Sequence, residues 1–445
     1  MNITVPDSQS DKTVESDQPK IPIVPAGRML PFVLVTALFF LWAIPNNLND
    51  ILIPHFMKSF VLSRFEAGFV QTAFYLGYFG LAIPAGMLMR RFGYKRGILT
   101  GLCLLACGSF LFWPAANADS YVFFLLALFV IASGLSFLET AGNPIIVRMG
   151  SQKNSEQRLN LSQAFNPLGS ITAGLVGTIF ILSGVELTAN QIAARKAAGT
   201  YDAYLHSEIL RVISPYLVLG GVALLLALLI ALTKFPSLDK EEEREDLDVT
   251  GGRSDGLRAL LKRHFICGVM AQFLYVGAQV GTWSYFIKYV QLYAAVPERV
   301  AGYMLTGTLA AFAIGRFLSA WLLSFIRADR LLFVFAVCNI ALTVAAISRP
   351  NWVGVICLLS SSFFMSMMFP TIFALGIHGL GSRTKTGGSL MVMAIVGAAV
   401  LPLLMGYAGA LNVAYVVPCV CYIGIALYAR YWSRPTETSP ASTGA

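Results

Sequence analysis

The chain has 445 residues, of which 56% are apolar and only 12% charged, and it carries a net charge of +9. A soluble domain carries roughly 25% charged residues, and a barrel of the outer-membrane type is built from alternating strands of ~10 residues, so both are excluded in favour of a helical integral membrane protein. The positive balance reads as basic loops at a membrane surface, with no nucleic-acid partner. Seven cysteines, an odd number, exclude a complete disulfide framework; all lie in apolar runs without metal-type spacing and read as small buried hydrophobes.

The first 29 residues are polar. The apolar run after them is too long for a signal peptide and lacks a small-residue cleavage site. Twelve spans follow. The first six are predicted at about 30–57, 66–89, 97–115, 121–149, 160–182 and 211–233. The second six are predicted at about 265–290, 300–326, 330–348, 352–377, 387–409 and 413–431. Residues 183–210 form a long loop with an amphipathic portion from Asn190 to Leu210. Residues 234–264 hold the charge run Lys240-Glu-Glu-Glu-Arg-Glu-Asp246 and read as a solvated linker. The domain plan is therefore a cytoplasmic tail at 1–29, a six-helix half at 30–233, a cytoplasmic linker at 234–264, a second six-helix half at 265–431 and a cytoplasmic tail at 432–445.

Orientation follows from Lys and Arg. With the N-terminus inside, the inner segments hold 23 of them and the outer loops 8. Both termini and the linker are thus expected on the cytoplasmic side.

Near the end of the first span lies Trp42-Ala-Ile-Pro-Asn-Asn-Leu-Asn-Asp50. At helical spacing Asn46, Asn47 and Asp50 share one face, and a polar stripe on a lipid-embedded helix must face other helices or a water-filled cavity. The fourth span carries Glu139, with Asn143 one turn on and Pro144 loosening the helix. An acid in a low-dielectric site, gaining and losing a proton as the site opens to either side, is what a proton-coupled carrier needs. The structural alternative for either acid is a buried hydrogen bond that pins two helices.

The two halves read as repeats. Pro144 precedes Gly150-Ser151 and a basic loop, and Pro370 precedes Gly379, Gly381-Ser382 and another. The position matching Glu139 in the second half is Met365, so the proton chemistry is assigned to the first half. The seventh span offers Gln272, Tyr275, Gln279 and Trp283 at three- and four-residue spacing. The fifth offers Asn160, Gln163 and Asn166; the second offers Gln71, Tyr75 and Tyr78. Amides donate and accept, and rings cover C–H faces, which suits a hydroxyl-rich ligand. The alternative is that these groups only hold helices together. Arg316 has two readings, a partner for an acid or ligand and a snorkelling side chain.

Six-span halves around a polar linker, with Gly86-Met-Leu-Met-Arg-Arg-Phe-Gly-Tyr-Lys95 after the second span, resemble the major facilitator superfamily. Arg90 stands where that loop signature has an acid. Leu41-Trp-Ala, Asn46-Asn-Leu-Asn-Asp-Ile51, Leu138-Glu-Thr-Ala, Arg158-Leu-Asn-Leu and Gly315-Arg-Phe317 resemble the fucose:proton symporters within it, over nearly the whole chain beyond the tail. The resemblance implies a bacterial inner-membrane permease that imports L-fucose with a proton. It implies a proton-linked pair at Asp50 and Glu139, amides lining the sugar site at Asn47 and Gln163, no cofactor, and a working monomer. Glucose/galactose permeases are similar but typically carry an amide at the position of Glu139. Phe369 departs from the tyrosine expected in close fucose relatives.

The expectation is an all-α, twelve-helix symporter of L-fucose or a related monosaccharide such as galactose, working by alternating access. The candidate substrate contacts are Asn46, Asn47, Asn143, Gln163, Tyr75, Gln272, Tyr275, Gln279, Trp283 and Arg316. The rivals are a glucose/galactose permease, a proton-coupled antiporter of organic compounds and a non-transporting sugar sensor. No nucleophile–base pair, metal spacing or phosphate loop shares a face, so an enzyme is disfavoured.

Overall fold

The computed structural model describes residues 22–67, 69–182, 187–235, 262–407 and 410–433. The charge run at Lys240–Asp246 and most of both tails lie outside the described residues. Among the described residues twelve helical segments are long and apolar enough to cross a membrane, as composition requires. In the first half they are α1 (Ala26–Ser59), α2 (Phe69–Phe92), α3 (Tyr94–Asn117), α4 (Tyr121–Arg148), α5 (Gln152–Ile181) and α6 (Tyr201–Leu232). In the second half they are α7 (Arg263–Ala294), α8 (Val300–Leu322), α9 (Ala328–Ser348), α10 (Trp352–Ile377), α11 (Thr384–Gly406) and α12 (Leu411–Trp432). An even number of antiparallel spans puts the start of α1 and the end of α12 on one face, called here the terminal face.

Two elements are longer than expected from the apolar pattern. The loop before the sixth span is helical, with Ala189–Ala197 capped by a Thr188/Gln191 box and Tyr201–Leu210 forming the first part of α6, ahead of a turn at 211–212. Its Glu208 is buried and accepts from Lys58 Nζ of α1 at 3.1 Å, which anchors the loop. The fifth span begins earlier than 160, because Ser151 accepts from Lys153 N and starts a short turn that leads into the helix.

Close packing within the first half rests on small residues. A Cβ on Gly101 of α3 would sit 2.9 Å from the carbonyl oxygen of Gly134, and one on Gly134 of α4 would sit 2.6 Å from that of Gly101. Only glycine lets the two backbones meet so closely.

The repeat is visible in the backbone. After α4 a tight turn covers Gln152–Asn154, and after α10 a matching one covers Gly381–Arg383. Three helices are interrupted near mid-membrane. α5 turns at 164–165 before Asn166-Pro167, α10 at 366–367 before Pro370, and α11 tightens over Ala394–Val396. Irregular backbone at that depth is tolerated where it lines a cavity or is buried in protein.

The halves meet on the terminal-face side. Arg148 Nη1 of α4 lies 3.5 Å from the Gly381 carbonyl and 3.4 Å from Thr384 Oγ1. Asn160 of α5 donates to Thr371 Oγ1 of α10 at 3.1 Å. Gly86 of α2 faces Ser389 of α11 so closely that a Cβ there would lie 2.0 Å from its hydroxyl oxygen. Lys385 of α11 lies 5.0 Å over the Tyr94 ring of α3, a further contact between the halves.

Candidate functional site

A cavity of about 530 Å³ lies between the halves, lined by α1, α2, α4, α5, α7, α8, α10 and α11. Its lining runs from mid-membrane into the half of the molecule away from the terminal face. The contacts between halves described above lie beneath it as a floor.

The polar stripe of α1 forms one wall, because helical spacing turns Asn46, Asn47, Asn49 and Asp50 toward the same space. Asp50 is exposed to the cavity and accepts from Gln71 Nε2 of α2 at 2.7 Å; Gln71 Oε1 in turn accepts from Asn49 at 2.9 Å. Asn46 donates to Tyr78 Oη at 3.3 Å. The Tyr78 hydroxyl also lies beside the Glu139 carboxyl group. Asn47 spends its amide hydrogens on the Ala43 carbonyl at 2.7 Å and on Ser170 Oγ of α5 at 2.9 Å.

Glu139 is buried at 8% exposure and still reaches the cavity surface. From its turn of α4 a chain of amides leads to the other half. Asn143 Nδ2 donates to the Glu139 carbonyl at 3.1 Å. Gln163 Nε2 donates to Asn143 Oδ1 at 2.7 Å, and Gln163 Oε1 accepts from Arg316 Nη1 of α8 at 2.7 Å. Arg316 is 5% exposed, with its guanidinium 4.9 Å over the Phe312 ring. The snorkelling reading of Arg316 is therefore wrong: the side chain turns inward, because Gln163 offers it two oxygens. The Tyr275 hydroxyl lies beside it without forming a hydrogen bond, and Arg316 Nε is buried without a partner among the described residues.

Trp283 of α7 stands edge-to-face with Phe312 at 5.2 Å and donates from Nε1 to Ser362 Oγ at 3.0 Å, which fixes its plane. Phe369 also lines the cavity.

Nine of the twelve residues expected to couple the proton or contact the substrate line this cavity: Asp50, Glu139, Asn46, Asn47, Gln163, Tyr75, Gln279, Trp283 and Arg316. Asn143, Gln272 and Tyr275 do not. Asn143 sits behind Gln163 and positions it. Gln272 and Tyr275 are fully buried in the second half, below the cavity on the same stripe of α7 as Gln279 and Trp283. Phe312 and Ser170 belong to the lining and went unnoticed in sequence, since neither an aromatic nor a lone serine stands out in an apolar helix. His55 lies away from the cavity, buried near Glu208 and Lys58.

The family model of the Major Facilitator Superfamily matches residues 34–402. The chain is 43% identical to the L-fucose-proton symporter of Escherichia coli over 91% of its own length and 94% of that protein. It is 34% identical to a glucose/galactose transporter of Brucella abortus over 90% and 93% of the two chains. Among solved structures it resembles FucP, a transporter of this superfamily crystallised in the outward conformation, with a TM-score of 0.81 at 42% identity, covering 90% of this chain and 98% of that one. The chain belongs to the Major Facilitator Superfamily, in its fucose:proton symporter family.

Proposed function

We propose that this protein is a proton-coupled importer of L-fucose or a closely related monosaccharide such as galactose, working by alternating access. The observation that carries the reading is the continuity between a buried acid and the ligand-facing amides. Glu139 lies beside Tyr78, whose hydroxyl accepts from Asn46, on one side, and its helix turn joins Asn143, Gln163 and Arg316 on the other. A change of charge at Glu139 therefore reaches the same amides that a sugar would engage. The relatives named for fucose–proton and glucose/galactose transport support the substrate class.

The chemistry of the walls supports a sugar over an organic cation. Asn47 has committed its donors and keeps a carbonyl oxygen that accepts from a hydroxyl. Trp283, Phe312 and Phe369 offer faces for the C–H side of a pyranose. An antiporter of apolar compounds has no use for so many amides, each of which must be desolvated at a cost.

The arrangement is outward-facing. The halves touch at Arg148–Thr384, Asn160–Thr371 and Gly86–Ser389, all on the terminal face, and this face is taken as cytoplasmic from the excess of Lys and Arg. Sugar and proton enter from outside. The halves then rock about the cavity, the floor contacts part, and release occurs inside. Asp50, exposed in the cavity wall, is read as the group through which the proton reaches the buried Glu139, with a bacterial inner membrane as the setting. One chain encloses the whole cavity, which supports a working monomer. The test is sugar uptake by proteoliposomes under an imposed proton gradient. Concentrative uptake of a monosaccharide is expected, and its absence across a sugar panel would refute the reading.

A further inference from the structure

A second cavity, of about 570 Å³, lies far from the first, between the start of α9 and the end of α12 on the terminal face. Arg327, Arg330 and Arg430 line it, together with Asp329, Phe333 and Tyr431. We propose that this cleft binds the phosphate headgroup of an anionic phospholipid, a role beyond sugar transport.

Charge is the first reason. Arg327 Nε is 3.3 Å from Asp329 Oδ1, so that acid is matched by a cation of its own. Arg330 and Arg430 have no ion-pair partner among the described residues, and both side chains are exposed. Two unmatched guanidiniums sharing one cleft attract a phosphodiester, which each can grip with paired N–H donors.

Position is the second. The cleft sits where two membrane helices end, at headgroup depth. Its apolar neighbours face outward: Val334 is 52% exposed and Tyr431 69% exposed. Just before α9, Phe325 is 73% exposed. On a helix of this hydropathy such surface faces acyl chains. A basic pocket between helices, rimmed by aromatic and aliphatic groups, has the polarity profile of a lipid and not of a free anion. On the orientation proposed above, the cleft faces the cytoplasmic leaflet, whose lipids carry negative charge.

The test compares thermal unfolding of the full-length protein in mixed micelles containing phosphatidylglycerol with that in phosphatidylcholine. Phosphatidylglycerol is expected to raise the midpoint by mass action on the folded state. Arg330→Gln combined with Arg430→Gln should lose most of that increment, while Arg90→Gln combined with Arg91→Gln, an equal charge change on the same face, should keep it. Phosphatidylglycerol carried through purification, read by mass spectrometry, should fall in the first variant and persist in the second. Soluble glycerol phosphate should not reproduce the shift. An unchanged increment in the first variant, equal losses in both variants, or an equal shift from glycerol phosphate would each overturn the proposal.

Discussion

Arg316 Nη1 lies 2.7 Å from Gln163 Oε1 and 3.0 Å from the Gln163 carbonyl oxygen, so a side chain of the second half is bonded to a broken helix of the first. The contact crosses the plane along which the halves must move. It also occupies two acceptors that a sugar hydroxyl can compete for. Sugar binding and separation of the halves therefore act on the same pair of residues.

Gln163→Ala removes that acceptor and the donor to Asn143 together. Binding should weaken by ~1–3 kcal/mol, roughly 5- to 150-fold, because a buried guanidinium and a buried amide each lose a partner. Asn47→Ala should act in the same range. Equilibrium binding to the detergent-solubilised protein measures both. Cys103→Ala and Cys107→Ala are the controls: contrary to the reading of all seven cysteines as buried, which holds only for Cys419 and Cys421, both lie on the exposed side of α3 and should leave affinity unchanged. Equal losses in all four variants would mean that the amides are structural.

Glu139→Gln imitates the neutral acid, since Gln is isosteric and both donates and accepts. The variant should bind sugar with an affinity less dependent on pH than the parent. It should exchange sugar for sugar and fail to accumulate it, because it carries no proton. Full concentrative uptake would reduce Glu139 to a helix-pinning residue.

Asp50→Asn keeps a group that can accept from Gln71, so the local fold should survive. Gradient-driven uptake should still be lost if the two acids form one relay. Retained uptake in this variant, beside loss in Glu139→Gln, would assign coupling to Glu139 alone.

Gly86→Leu tests the floor. A Cβ at Gly86 collides with Ser389, so a leucine wedges α2 from α11 on the terminal face. The population should shift toward states open on that face, read as increased labelling of a cysteine introduced beside Ser389. Unchanged labelling would mean that the floor accommodates the side chain without opening.

How much of this was legible in the sequence depends on whether a feature is local to one helix. The stripe of Asn46, Asn47 and Asp50 was legible, because three- and four-residue spacing fixes a shared face. On α7 the same rule placed Gln272, Tyr275, Gln279 and Trp283 together, yet only the last two reach the cavity. Spacing gives the face of a helix and not the depth at which that face meets a cavity. The partner of Arg316 was not legible, since Gln163 lies in the other half and is brought close by packing between halves. The breaks in α5 and α10 were hinted at by Pro167 and Pro370, but an apolar window reads straight across them.

The central claim is that proton and sugar move together, and the most direct measurement is uptake of labelled sugars by proteoliposomes holding the purified protein. With the exterior more acidic than the lumen, L-fucose or a near relative should accumulate above its external concentration. A protonophore should collapse that accumulation to equilibration. Accumulation that is indifferent to the proton gradient, or accumulation of organic cations with no monosaccharide taken up, would contradict the account.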